Sequence, residues 1–366
     1  MTEQQKNGKI PPVVGRFAPT PSGRLHLGNL MCALLSWLSA KKAGGRVLLR
    51  IEDLDAARCP FMGENTKYLL DDLAWMGLDF DGEVLWQSKR SEIYDTYRGI
   101  LEEKGLLYPC YCSRAELHAA TAPHRADGVP KYDRKCWYRL LAGDPPPTGR
   151  SPALRVRVPD ETYGFCDGLQ GEYSENLARD CSDFVVRRSD GVYAYQLAVV
   201  VDDGISGVTE IVRGNDLLDS TPRQMFLQDT FGFSHPVYYH IPLLTDAAGR
   251  RLSKRDGDGC METVRARYKD ARPVIGALAA ALGLIKSPES LSPADLIPLF
   301  DWHKLPRDAV LLPEGFLIWH YPPNGAKKGL RRMPPQAFSF FVNVFRSACR
   351  RFLPHSFCRG FSVCAP

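Results

Sequence analysis

Three segments near the start of the 366-residue chain most constrain its fold. Residues 13–18 form a short β-rich run, residues 30–43 carry apolar side chains at helical spacing and run into Gly44-Gly45, and residues 47–51 are β-rich again. Strand, helix, strand is one βαβ unit, because parallel neighbours need a long crossover. The alternation continues. Helices are predicted over 65–76, stopped by Gly77, and over 90–104, stopped by Gly105. The apolar run 192–201 suits a buried strand, and Thr221-Pro222 suits a helix start, with Thr as cap and Pro in the first turn. Helices are also expected over 263–284 and, short and capped, over 292–300. The fold class this predicts is α/β, a doubly wound parallel sheet with a short helical C-terminal portion.

Between residues 108 and 180 the pattern breaks. Paired cysteines, the stretch Asp144-Pro145-Pro146-Pro147 and the alternating run 154–158 predict an insertion built of small strands. The expected division is therefore 12–107 and 181–262 as the two halves of the core, 108–180 as the insertion, 263–314 as a helical stem and 315–366 as a tail.

Charge separates that tail from the rest. The chain carries 47 Lys+Arg against 42 Asp+Glu, a formal +5. Residues 315–366 hold eight basic residues and no acidic one, which leaves residues 1–314 at −3. A basic nucleic-acid arm and a non-native extension both fit the tail. Over residues 1–314 a nucleic-acid partner would have to meet local patches such as Arg187-Arg188 and Arg250-Arg251, not a global field. With 44% apolar residues the chain is neither disordered nor fibrous. No apolar leader core and no membrane-length apolar run is present, so a reduced, cytoplasmic protein is expected. Cys32, Cys59, Cys166, Cys181 and Cys260 stand singly and read as core thiols.

Two constellations carry chemistry. Arg16-Phe-Ala-Pro-Thr-Pro-Ser-Gly23 leads into His26-Leu-Gly-Asn29 at the mouth of a helix, where backbone N–H groups and the helix dipole meet an anion. Gly28 would admit a nucleotide closely and His26 would donate to phosphate oxygens. Arg251-Leu-Ser-Lys-Arg255, following Gly249, is a glycine-flanked basic loop able to neutralise a departing pyrophosphate. Both follow predicted strands, which is where doubly wound sheets bind nucleotides.

In these residues the chain resembles the class I aminoacyl-tRNA synthetases. Residues 26–29 match the HIGH signature, with Asn29 for its second His. Residues 251–255 match KMSKS, with Arg at both ends. Arg16–Gly23, Arg50-Ile-Glu-Asp-Leu-Asp55, Tyr195-Gln-Leu-Ala-Val and the run 212–221 resemble the glutamyl/glutaminyl branch, most of all the glutamyl-queuosine tRNA(Asp) synthetases. The resemblance covers about residues 12–314 and implies a Rossmann-type class I core with a zinc-containing insertion.

It further implies the site. Glutamate brings two carboxylates and an ammonium. Arg16 and Arg213 are the guanidinium candidates, with Arg213 for the side-chain carboxylate, while Glu52 would take the ammonium and Tyr195 orient the substrate. An ion pair of Glu52 with Arg50 or Arg58 is the competing reading. Phe17, Ala18, Pro19 and Thr20 are implied along the glutamate site by backbone and shape. His26, Gly28, Asn29 and Lys254 are implied for ATP, with His26 and Lys254 acting catalytically beside Mg²⁺. Cys110, Cys112 and Cys136 suit structural Zn²⁺. General ligand preference makes the fourth donor a His such as His118 or His124, whereas the resemblance implies Tyr132.

The implied partners are ATP, L-glutamate and queuosine-containing tRNA(Asp), with no membrane, and a monomer is expected. Only about 55 family-like residues follow the basic loop, so recognition of a distant anticodon is not expected. The implied reaction is glutamate activation without tRNA, then transfer to the wobble-position queuosine. A truncated glutamyl-tRNA synthetase and a catalytically silent tRNA-binding paralogue are the alternatives. Retention of His26, Glu52, Arg213 and Lys254 argues against the silent one. Asp55 and Asp202 are carboxylates near the predicted site without an assignable role.

Overall fold

Val14–Phe17 (β1) is buried at all four positions, as a strand covered on both faces must be. The computed structural model describes residues 12–55, 61–112, 132–245, 249 and 260–312, all within the first of the chain's two units, residues 1–323. The basic loop with Lys254, the histidines 118 and 124, Arg58, Cys59 and the tail 315–366 lie outside the described residues.

β1 leads into helix α1 (Leu27–Lys42) and returns as β2 (Arg46–Ile51), parallel to β1 with Val14 opposite Arg46. Two glycines make that return possible. Gly44 adopts φ +65°, and a Cβ on Gly45 would come within 2.1 Å of the Val13 carbonyl oxygen. Helix α2 (Met62–Trp75) then leads to β3 (Leu85–Trp86), parallel to β2, and α3 (Ser91–Glu103) follows. Leu30, Leu34, Leu35 and Leu38 of α1 are fully buried against this sheet, and truncating one to Ala costs about 2–5 kcal/mol.

The next stretch is antiparallel. β4 (Leu107–Cys110) pairs with β5 (Ala153–Val156), and helix α4 (Lys135–Leu141) lies between them in sequence. β6 (Thr162–Asp167) and β7 (Gly171–Asn176) form a hairpin, and β8 (Phe184–Arg187) pairs with β5. Parallel pairing resumes with β9 (Glu210–Gly214) and β10 (Val237–Ile241). The Thr209 N–H donates to the Val14 carbonyl at 2.9 Å, setting β9 beside β1. β11 (Leu244–Thr245) pairs with β12 (Val310–Leu311).

Four expectations change. The run 192–201 is not a strand: Tyr195–Ile205 is a helix (α5). A continuous apolar run does not separate strand from buried helix. The polar residues do, since Tyr195 and Asp202, like Gln196 and Asp203, sit two helical turns apart on one face. The expected helix over 263–284 is two, α7 (Met261–Arg267) and α8 (Arg272–Ala281), because Pro273 lacks the N–H that would continue the first. Thr221 is not a cap. Ser220 holds that place before α6 (Thr221–Phe231), and the Thr221 hydroxyl is engaged by Arg213. The helix expected over 292–300 is confined to α9 (Pro293–Leu296), closed at its start by a Ser292/Asp295 capping box.

Candidate active site

Four chain ends converge at the C-terminal edge of β1, β2 and β9. β1 delivers Arg16 and Phe17, β2 delivers Glu52, the first turn of α5 delivers Tyr195 and β9 delivers Arg213. They line one cleft of ≈ 490 Å³ together with Ala18, Pro19, Thr20, His26, Gly28 and Asn29. Every site residue named from sequence for glutamate or ATP lies on this cleft except Lys254, which is outside the described residues.

The acid side of the cleft is a buried charge network. The Arg16 Nε meets the Asp203 carboxylate at 3.5 Å, and its Nη1 donates to the Val212 carbonyl at 3.0 Å. Arg50 binds Asp203 as well and pairs with Glu52 at 3.1 Å. The expected competitor for Glu52 is thus present, and Glu52 nevertheless faces the cleft. Burial pushes the Glu52 carboxyl up, against the pull of Arg50. The Tyr195 hydroxyl is likewise held protonated by burial, within the fields of Arg213 and Glu52.

Arg213 has a different environment. It is buried, yet its three hydrogen-bond acceptors are neutral: His240 Nε2 at 2.9 Å from Nε, Gln224 Oε1 at 2.7 Å from Nη1 and Thr221 Oγ1 at 2.7 Å from Nη2. Among the described residues no carboxylate pairs with it. The field of Asp203 reaches it, but a buried guanidinium with no carboxylate in contact still gains from an arriving anion. His240, Gln224 and Asp167 behind them were not singled out from sequence. Their only local trace is the His-Ile-Pro strand end and the Asp-Gly turn.

His26 is the N-cap of α1. Its Nδ1 accepts from the Gly28 N–H at 3.1 Å, and Asn29 Oδ1 accepts from the His26 N–H at 3.3 Å. That bond leaves the ring proton on Nε2 in the neutral imidazole. Gly28 leaves room for this ring, since a Cβ there would stand 3.0 Å from His26 Cε1 and press on it.

Two further groups named from sequence can be placed. Arg188 is paired with Asp55 at 2.8 Å and with Asp190, whereas Arg187 donates to the Gly191 carbonyl, so carboxylates meet one of the two charges. Asp202 is fully buried under Arg90, Gln87 and Tyr94, which leaves it no access to a reacting group.

Residues 12–286 match the family model of the class I tRNA synthetases (E and Q), catalytic domain. The chain belongs to this family. The chain is 45% identical to the glutamyl-Q tRNA(Asp) synthetase of Symbiobacterium thermophilum, over 82% of its own length and 95% of the relative's. It is also 45% identical to that of Neisseria meningitidis serogroup C, over 82% and 99%. A solved glutamate tRNA ligase from Elizabethkingia meningosepticum superposes with TM-score 0.69 at 24% identity, over 94% of this chain and 74% of that one, and shows the shared fold. The architecture is that of a class I synthetase of the glutamyl type.

A second cluster in this synthetase lies where β4 meets α4. The sulfurs of Cys110, Cys112 and Cys136 all fall within 4.8 Å of one another, with Cys112 and Cys136 3.6 Å apart. The Tyr132 hydroxyl stands 3.7 Å from the Cys110 sulfur and 4.0 Å from that of Cys112. Burial and the neighbouring Cys110 push the Cys112 thiol up to about 12. A cation would relieve that crowding by taking the thiolates, so the group can hold a metal ion. Arg155, fully buried, donates to the Cys110 sulfur at 3.2 Å and stacks over Tyr132 at 3.8 Å, which suits a site of net negative charge. The lone cysteines are less uniform than expected: Cys166 is exposed on the outward face of β6, and Cys32, Cys181 and Cys260 are half-buried.

Proposed function

We propose that this chain activates L-glutamate with ATP, without tRNA, and transfers the glutamate to the queuosine base at the wobble position of tRNA(Asp). The observation that carries the proposal is the cleft itself, in which Arg213, with no contacting carboxylate among the described residues, and the carboxylate of Glu52 are offered to one small ligand. A dicarboxylic amino acid matches that pair. The names of the two relatives, spanned almost end to end, supply the acceptor.

In this reading the sheet is doubly wound, with β3, β2, β1, β9 and β10 in spatial order, and the cleft lies at its switch point. Arg213 binds the side-chain carboxylate, Glu52 the ammonium, and Tyr195 orients the substrate between them. Residues 17–20 shape the pocket wall. The α-carboxylate of glutamate attacks the α-phosphorus of ATP in line, giving glutamyl-adenylate and pyrophosphate. No covalent bond to the protein is needed, so catalysis is positioning and charge stabilisation. His26 donates from Nε2 to phosphate oxygens at the α1 N-terminus, where Gly28 and Asn29 lie, and Lys254 neutralises the leaving pyrophosphate. Mg²⁺, carried in with ATP, supplies further charge neutralisation.

The cysteine cluster reads as a structural zinc site of Cys110, Cys112, Cys136 and Tyr132. The three thiols fit that borderline-soft cation, and the phenol offers an oxygen as fourth donor. Replacing both Cys110 and Cys136 by Ser is expected to lower bound zinc from about one per chain to near zero in elemental analysis. Unchanged content would remove the assignment. The segmentation 12–107, 108–180, 181–262 and 263–314 is kept as part of the proposal. So is a cytoplasmic location. Among the described residues no helix is long and apolar enough to cross a membrane.

The function is tested by incubating the chain with ATP, labelled glutamate and tRNA(Asp) with or without queuosine, read by acid gel or mass. Glutamylation that requires queuosine is expected. Charging of unmodified tRNA(Glu) would indicate 3′-end aminoacylation, and no transfer to either would indicate a silent paralogue.

A further inference from the structure

We propose that His240 and Asp167 are positioning residues that hold Arg213 oriented, with no carboxylate in contact with it, for an incoming one, and so set the preference for glutamate over its amide. The inference rests on the reading of Arg213 as the side-chain carboxylate site. Parallel register sets His240 of β10 opposite Arg213 of β9, and both are buried. Behind them Asp167 ends β6. Its Oδ2 lies 2.6 Å from His240 Nδ1, and the same carboxylate accepts the backbone N–H groups of His240, Leu169 and Gln170.

The direction of the chain follows from what each group can do. An ionised carboxylate only accepts, so the proton sits on Nδ1 and Nε2 must accept. Arg213 Nε is the donor placed there. Burial opposes ionisation of Asp167, yet the bonds from His240 and Gln170 hold its carboxyl below the ordinary range. Burial also drives the His240 imidazole down to about 4, against the pull of Asp167 and with the push of Arg213 and Arg16. The rings of Tyr238 and Phe165 stand with centroids 6.1 Å from its own and carry no charge. His240 is therefore a neutral acceptor at working pH.

The other two acceptors are neutral and fixed as well. Gln224 Nε2 donates to Gln196 Oε1 at 2.9 Å, which turns its oxygen to Arg213, and Thr221 is the first residue of α6. A guanidinium has five N–H donors, so after these three bonds one remains on each terminal nitrogen. Two remaining donors can serve the two oxygens of a carboxylate. A carboxamide offers one oxygen, and its NH₂ would face an N–H.

The test is ATP–pyrophosphate exchange on the full chain, with KM taken separately for glutamate and ATP and with glutamine as competitor. His240→Leu is expected to raise the glutamate KM about tenfold, with the ATP KM unmoved, as for loss of one charge-assisted bond. His240→Gln, which restores an acceptor, should recover most of it. Gln224→Glu, which sets a carboxylate on Arg213 in an intact fold, should raise the glutamate KM further and narrow the margin over glutamine. Equal KM in His240→Leu and His240→Gln, a native glutamate KM in Gln224→Glu, or parallel shifts for both substrates would each overturn the inference. Should His240→Leu not fold, His240→Gln and Gln224→Glu still decide it. An Arg213→Gln control separates the layers. If it leaves the glutamate KM native, the substrate reading fails. If it raises KM while His240→Leu does not, only this inference fails.

Discussion

Arg213→Gln is expected to raise the KM for glutamate about 100-fold or more in ATP–pyrophosphate exchange, because two charge-assisted bonds worth about 3 kcal/mol together are lost. The ATP KM should hold. What makes the expectation sharp is how little else changes. Arg213 has no contact carboxylate among the described residues, so its removal breaks no direct ion pair, and the buried Asp203, which also feels its field, keeps Arg50 and Arg16. A glutamine amide can still meet His240, Gln224 or Thr221. The melting midpoint should therefore move by less than about 4 °C. A variant with native glutamate affinity would show that this guanidinium does not serve the substrate.

Arg16 makes a useful contrast. It is just as buried, but Asp203 already contacts it, and Asp203 is held ionised against burial by Arg50 and Arg16, with a smaller pull from the more distant Arg213. Two arginines that look equivalent as letters thus differ in available charge, and only the partners reveal which one waits for an anion.

That difference marks what could be read from the letters. The first βαβ unit was legible because Gly44-Gly45 punctuates it and its periods are clean. The cysteine cluster was legible because its members are close in sequence. The helix Tyr195–Ile205 was misread as a strand because apolar residues nearly fill the stretch, and its polar face emerges only once a period of seven is looked for. Asp167 and His240 stayed invisible for another reason. They are 73 residues apart, joined by the packing of a hairpin against a parallel strand pair, and no local pattern records such a pairing.

His26 tests the other half of the chemistry, since structure gives it one role and the proposed mechanism a second. As N-cap it closes the start of α1 through Nδ1, and Asn29 reciprocates. As catalyst it would donate from Nε2 to phosphate. His26→Ala removes both roles and is expected to cost about 1 kcal/mol of stability for the lost cap. His26→Asn separates them, because Asn is among the best N-caps yet lacks the reach and the donor of an imidazole Nε2. The Asn variant should melt close to the native protein while activating glutamate about 100-fold more slowly, the usual cost of one lost donor to developing charge. The Ala variant should be as slow and also less stable. If the Asn variant activates glutamate at the native rate, His26 is a cap alone, and stabilisation of the phosphates then falls to the α1 N-terminus and the basic loop.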